Sequence, residues 1–382
     1  MDFTLTKKQL NLKDSTKNFC EKEFDSDYAL ELDRKELFPM ELYRKAAKQG
    51  FSSQFIPEEY GGGGQGYLAS CLIMEEMCRQ DSSLGLACMI GTFGSEMLLL
   101  HGTEEQKNCY LPSVCLGESI LAAAFTEPTR GTDISTVDTT AVKVGNEWVI
   151  NGTKTLITNV PTANFIIVLC QTGSKTKPRM SQSILIVDSE TEGLSTKKLS
   201  NKMGIRCINT GEATFENVKV DKNSLIGKQD NGYSQSIAFF TITRTSIASQ
   251  AIGTAQGALE VALKYAKKRV TGGQPIIRFQ QIGAKLAQIA SEIEAARLLT
   301  YKAAWTIDQN RVDPMLTSMA KLYASQIAVK ATNAAVQTLG GYGYFGNYKA
   351  ERAYRDAKVT EIYEGTSEIQ RLSILRQLVK SY

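Results

Sequence analysis

The sequence predicts an α+β fold, with helical segments at both ends and a compact β-domain between them. Three patterns carry this expectation. Up to about residue 120, and again from about residue 229, apolar residues recur every three or four positions. Between them the period drops to two, and short apolar runs alternate with Gly and Asn turn signals. No internal repeat and no low-complexity tail interrupts the order. The expected domains are 1–120, 121–228 and 229–382.

In the first domain, Pro39 can open a helix, Leu42 and Ala46 share one face, and Gly50 can close it. Gly61, Gly62, Gly63 and Gly64 form a glycine run, but no Lys-Ser/Thr follows as a phosphate loop requires, so it reads as a flexible connector before a helix over 68–78. In the second, Val142, Val144, Trp148 and Ile150 alternate around Gly145-Asn146, a two-residue hairpin signal. Asn151-Gly152 suggests another turn. The runs 165–169 and 184–187 suit buried strands, and 213–220 alternates again. In the third, Ile282, Leu286, Ile289, Ile293 and Ala296 form a core stripe. Asp313-Pro314 caps the next helix, with Leu316, Met319, Tyr323 and Ile327 on its buried face. Long helices with such stripes suggest a bundle.

Composition excludes several functions. The chain has 382 residues and a net charge of +4 from 44 basic and 40 acidic residues, with no extended basic run, which argues against nucleic-acid binding. No apolar run is expected to reach the ~20 residues of a membrane helix, and the start has no signal-peptide pattern. The eight cysteines are scattered without a CxxC, which reads as reduced thiols in a cytoplasmic protein. His101 is the single histidine, so HExxH zinc sites are excluded and no metal is expected. An enzyme with an organic cofactor is favoured.

The densest chemistry lies at 361–371, Glu-Ile-Tyr-Glu-Gly-Thr-Ser-Glu-Ile-Gln-Arg. Ile369, Leu372 and Leu375 recur at helical spacing, so a loop enters a helix that Thr366 or Ser367 can cap. Glu364, flanked by Tyr363 and the permissive Gly365, is a candidate general base. On residue types alone, the ordinary reading is a surface glutamate ahead of a helix.

This stretch resembles the C-terminal signature of the FAD-dependent acyl-CoA dehydrogenase family, "iYEGTseiQR", whose Glu removes the α-proton of an acyl-CoA. The resemblance puts that role on Glu364, substrate contacts on Tyr363 and Gly365, and cofactor contacts on Thr366 and Glu368. Residues 125–133 resemble "TEPgaGSD". Phe125 and Thr126 would then meet the flavin, and Thr132 both flavin and CoA, while Arg130, where the family has a small residue, either contacts a CoA phosphate or points to water. Residues 154–159 resemble "KxWITN": Thr158 is kept near the flavin, and Leu156 replaces the Trp that covers the flavin edge. Residues 269–276 resemble "RxxFGxPI". Arg269 would pair with the FAD pyrophosphate of a neighbouring subunit, Gly272 replaces the family Phe, and Gln280 follows. Gln337, Gly340 and Gly341 match "QxxGGxGy", whose amides hold the adjacent subunit's FAD. Thr241 and Arg244 fall in the CoA channel. A minority of the family place the base just before that arginine, where this chain has Thr243, which cannot serve. By family position the segment 84–97 lines the acyl pocket, with Leu86, Met89, Ile90 and Phe93 and no acid before Glu96.

The resemblance spans about residues 4–378. It implies a helical domain, a β-barrel-like domain and a four-helix domain assembled as a homotetramer, with FAD between the last two. It implies α,β-dehydrogenation of a short- to medium-chain or alicyclic acyl-CoA, with electrons passed to an electron-transferring flavoprotein. The Glu364 N–H and a flavin hydroxyl would form the oxyanion hole. An enoyl-CoA reductase, an acyl-CoA oxidase and a non-catalytic acyl-CoA-binding scaffold are the alternatives.

Overall fold

A computed structural model describes residues 4–174 and 176–381. The first part is helical: α1 (Lys7–Glu23), α2 (Ser26–Lys35), α3 (Met40–Lys48), α4 (Gly66–Gln80), α5 (Ser82–Met89), α6 (Ser95–His101) and α7 (Glu104–Cys115). Local chemistry sets the starts. Thr6 and Thr103 each form a reciprocal cap with a glutamine three residues on, and the Asp25 and Asp81 carboxylates accept first-turn N–H groups. The glycine run at 61–64 is a tight turn, not a flexible connector. Gly62 and Gly63 donate to the carbonyls of Pro57 and Ser53, and a Cβ on Gly62 would sit 2.1 Å from the Ile56 carbonyl oxygen.

The stretch Ser82–His101 is, by length and composition, apolar enough to cross a membrane, contrary to the sequence expectation. It is 83% buried inside the fold and is broken between α5 and α6 at Gly94, where φ is +109°. Its apolarity therefore serves the core.

The middle holds β1 (Leu121–Ala124), β2 (Thr140–Val144), β3 (Glu147–Thr158), β4 (Phe165–Gln171), β5 (Gln182–Asp188), β6 (Leu194–Lys198), β7 (Thr210–Asp221) and β8 (Leu225–Ile226). They form one sheet in the order β6-β7-β3-β2-β4-β5-β8, with β1 parallel to β4. Gly145-Asn146 is the expected two-residue hairpin, with Val144 opposite Glu147. Val142 and Val144 face out, whereas Ala141, Trp148 and Ile150 are buried. Asn151-Gly152 is not a turn. It lies inside β3 at a bulge opposite β7, where a Cβ on Gly152 would meet the Thr139 Cα at 2.6 Å, so close strand approach is what requires glycine. Successive residues of β4 serve two apolar clusters. Phe165, Ile167 and Leu169 pack with the helices, and Ile166 and Val168 with Trp148 and Phe215.

The last part comprises α8 (Gly232–Lys268), a hairpin of β9 (Val270–Thr271) and β10 (Gln274–Pro275), α9 (Gln280–Asp308), α10 (Pro314–Leu339), α11 (Lys349–Lys358) and α12 (Ser367–Ser381). Asp313 caps α10 as expected, accepting from the N–H groups of Met315 and Leu316. The buried face of α10 is built from alanines, among them Ala320, Ala324, Ala328, Ala331 and Ala335, while Met319 and Tyr323 are only half-buried. Small side chains let α8 and α10 approach closely, and the functional loop is gripped between these two helices.

Candidate active site

Glu364 sits in the loop between α11 and α12, with φ at +54°, and Gly365 follows at +88°. A left-handed non-glycine residue costs roughly 1–2 kcal/mol and persists only where its surroundings impose it. Three hydrogen bonds to the loop carbonyls do so. Gln370 Nε2 donates to the Glu364 carbonyl (3.1 Å) and to the Gly365 carbonyl (2.9 Å), and Lys321 Nζ from α10 donates to the Gly365 carbonyl (2.7 Å). From α8, the Thr243 hydroxyl donates to Glu364 Oε2. The Tyr363 hydroxyl donates to Gln250 Oε1, also on α8. Thr366 caps α12 through the Ile369 N–H at 3.4 Å.

The Glu364 carboxyl is half-buried, and its pKa is pushed up to about 7. Burial raises it, while the Thr243 hydrogen bond and the charges of Arg244 and Lys321 oppose the rise. Arg244 is buried; its Nη1 donates to Ser318 Oγ (2.9 Å), and its Nε has no partner among the described residues. Glu96 is a second acid in the same field. It is buried, accepts the Gly94 N–H at 3.1 Å, and is raised to about 7 by burial, with a further contribution from the charge of Glu364.

Two other glutamates could compete as the base. Glu127 is locked away: it is buried, accepts from Lys154 Nζ at 2.9 Å, and takes the N–H groups of Asp138 (2.6 Å) and Thr139 (2.8 Å). Burial pushes its pKa up, but Lys154 and these hydrogen bonds outweigh that and leave it low. Glu368 is exposed beside Arg371, and its pKa is held low chiefly by its own N–H and the Thr366 hydroxyl. Neither is poised near neutrality.

The expected cofactor residues fall in two groups. On the sheet, the Thr126 carbonyl accepts from the Thr155 N–H at 2.9 Å, which joins the 125–133 loop to the end of β3, where Thr158 lies opposite Thr210. Phe125 is buried in a ring cluster, with centroids 5.5 Å from Phe239 and 4.8 Å from Phe240. Leu156 has φ at +58° at a bulge and is 65% exposed. Thr132 is exposed. Arg130 is partly exposed and turns onto its own loop, where Nη1 donates to Thr136 Oγ1 (2.7 Å) and Nε pairs with Asp138 (3.4 Å).

In the helical group, Arg269, Gly340 and Gly341 line one groove of about 520 Å³ with Tyr265, Thr338 and Tyr342. Gly340, at φ +61° and ψ −135°, has a backbone that only glycine adopts readily. Gln337 is exposed and its carbonyl takes the Gly340 N–H, and Gln280 is exposed at the start of α9. Gly272 and Gly273 turn the β9–β10 hairpin at φ +54° and +80°, and the Phe279 ring lies 3.7 Å from where a Gly272 Cβ would be. The Thr241 hydroxyl is returned to its own helix, to the Ile237 carbonyl at 2.7 Å. Leu86, Met89 and Ile90 are buried in the N-terminal helical core.

Lys321 and Gln250 were missed by sequence reasoning. The signal for Lys321 was a lone cation on the alanine face of α10. Thr243, excluded as a base, proves to be the hydrogen-bond partner of Glu364.

Helical ends, a single middle sheet and a carboxyl held between two bundle helices define the architecture of an acyl-CoA dehydrogenase. The sequence agrees along its length. Residues 6–118, 122–218 and 230–379 match the N-terminal, middle and C-terminal domains of acyl-CoA dehydrogenase. The chain belongs to the acyl-CoA dehydrogenase family and is an oxidoreductase. It is 41% identical to a probable acyl-CoA dehydrogenase, YngJ, of Bacillus subtilis, with full coverage of both chains. It is 40% identical to a subunit of the caffeyl-CoA reductase-Etf complex of Acetobacterium woodii, over 95% of this chain and 96% of that one. Among solved structures it is similar to butyryl-CoA dehydrogenase of Megasphaera elsdenii, with a TM-score of 0.95 and 34% identity over 99% and 100% of the two chains.

Proposed function

We propose that Glu364 removes the α-proton of an acyl-CoA thioester in an α,β-dehydrogenation. The observation that carries the reading is the Glu364 carboxyl itself: half-buried, hydrogen-bonded by Thr243, and poised at about 7. A base of that strength both accepts a proton and exists deprotonated near neutral pH. Among the described residues, the Glu364 backbone N–H has no protein acceptor, which leaves it free to meet the thioester oxygen as negative charge develops. Arg244, cationic beside the base, favours the ionised carboxyl before proton transfer.

FAD is the cofactor of this family and, when bound, accepts the β-hydrogen. The donor set fits its phosphates: a guanidinium without an ion pair among the described residues and an open glycine backbone line the Arg269 groove. Arg269, Gly340, Gly341, Gln337 and Gln280 would hold one FAD, and Phe125, Thr126, Thr132, Leu156 and Thr158 the flavin end of another. Two half-sites on one chain support a homotetramer that shares cofactors. So do the exposed Leu372, Leu375 and Leu378 of α12 and the exposed Tyr344 and Phe345. The relative named with an Etf complex supports an electron-transferring flavoprotein as redox partner. All eight cysteines are free thiols, in keeping with a cytoplasmic protein.

The likeness to butyryl-CoA dehydrogenase supports a short- to medium-chain or alicyclic acyl group. A panel of CoA thioesters from C4 to C16, with cyclohexanecarboxyl-CoA, tests this. Turnover is expected to peak at the short end, and a peak at C14–C16 overturns it. The relative named with an Etf complex favours a second reading, an enoyl-CoA reductase using the same residues in reverse. Assay in both directions with the electron-transferring flavoprotein separates the two.

A further inference from the structure

We propose that Lys321 is a positioning residue whose buried ammonium clamps the Gly365 carbonyl and so fixes the conformation and charge state of Glu364. The proposal rests on the reading of Glu364 as the base. Lys321 lies on α10, one turn beyond Ser318, the residue that holds Arg244, and its side chain is fully buried. Burying an ammonium is costly unless it is hydrogen-bonded and its charge is answered. The hydrogen bond is to the Gly365 carbonyl at 2.7 Å. Among the described residues no carboxylate lies within ion-pair distance of Lys321. The charge is answered at longer range, first by Glu364 and then, more weakly, by Glu361 and Glu368, against repulsion from Arg244.

An apolar residue would satisfy the alanine-lined face of α10 at lower cost. The lysine instead does two things that an apolar residue cannot. It pins the second of two consecutive left-handed residues, Glu364 and Gly365, through the same carbonyl that Gln370 holds. It also places a positive charge near the carboxyl. The groups acting on the Glu364 charge fall into two sets. Lys321 from α10 and Arg244 and Thr243 from α8 favour the carboxylate, while burial and Glu96 from α6 disfavour it. Burial pulls the Lys321 ammonium down to about 8 and the Glu364 charge supports it, so each group stabilises the other's charged form.

The test uses FAD-loaded enzyme and the variants Lys321→Met and Lys321→Gln. Both remove the charge, and only the second keeps a donor. Flavin absorbance and far-UV circular dichroism establish folding. Lys321→Met is expected to lose about 10²-fold in kcat, as for a ~1 Å misplacement of a reacting group, with KM changed less than about threefold. In both variants the acid limb of the kcat/KM profile should move to higher pH. Lys321→Gln should recover part of kcat without restoring the limb. An unmoved limb in a folded variant overturns the proposal, as does failure of both variants to fold, which would make the lysine a folding element. Glu364→Gln is measured alongside. If it retains activity, the base assignment itself fails. If it is inactive while the Lys321 variants keep the wild-type limb, only the clamp fails.

Discussion

At Glu364 the decisive contacts come from residues far apart in sequence. Its acidity reflects burial against one hydrogen bond and two cations. Thr243→Val keeps the side-chain shape and removes the donor. A hydrogen bond to a charged group contributes ~1.5–3 kcal/mol, so the Glu364 pKa should rise by about one unit or more. Because the base must be ionised, activity is lost as pH falls through that value. The acid limb of the Thr243→Val profile should lie above that of wild type, and an unmoved limb would show that the contact does not act on the base. The motif pointed to Glu364, since Tyr-Glu-Gly-Thr is contiguous. Thr243, 121 residues away, could be read only as a threonine at a position where some relatives carry a base.

The elements show where local signals suffice and where they do not. The β2–β3 hairpin was legible because a two-residue Gly-Asn loop is self-contained. The bulge at Gly152 was not, because it depends on Thr139 and β7, outside any local window. The same holds for Glu127. Its neighbours suggest a polar turn, but Lys154, 27 residues on and fully buried, makes the pair a staple between the loop and β3. Lys154→Met should cost about 3–5 kcal/mol in denaturant unfolding, because it strands a buried carboxylate. Adding Glu127→Gln should return part of that loss; equal losses in single and double variants would show that packing alone matters. The β9–β10 hairpin changes the account of the missing family aromatic. Gly272 has positive φ, so phenylalanine there would strain the turn, while Phe279 already approaches the vacant Cβ position. Phe279→Ala should therefore speed FAD loss on dilution, and an unchanged rate would remove Phe279 from the cofactor's surroundings.

For the whole molecule, the order of helical, β and helical regions was readable because period 3.6 and period 2 are local properties. The buried charges were not, because they depend on what surrounds them after folding. Glu96 illustrates the consequence for stability. Its folded pKa of about 7 lies above the ordinary 4.5, so the fold disfavours its ionised form. Wild type should lose stability as pH rises from about 4.5 to 7, with the loss complete above 7. Glu96→Gln removes the Glu96 share of that loss while keeping an acceptor for the Gly94 N–H. Its advantage over wild type should grow from near zero at pH 4 to on the order of 3 kcal/mol at pH 8. A pH-independent difference would contradict this assignment. The central claim, that Glu364 takes the substrate proton, is tested most directly by Glu364→Gln mixed anaerobically with a turned-over acyl-CoA. Wild type should bleach its flavin, while the variant should keep FAD and substrate affinity and bleach at least ~10²–10⁴-fold more slowly. Bleaching near the wild-type rate would contradict the account and make Glu364 a structural residue.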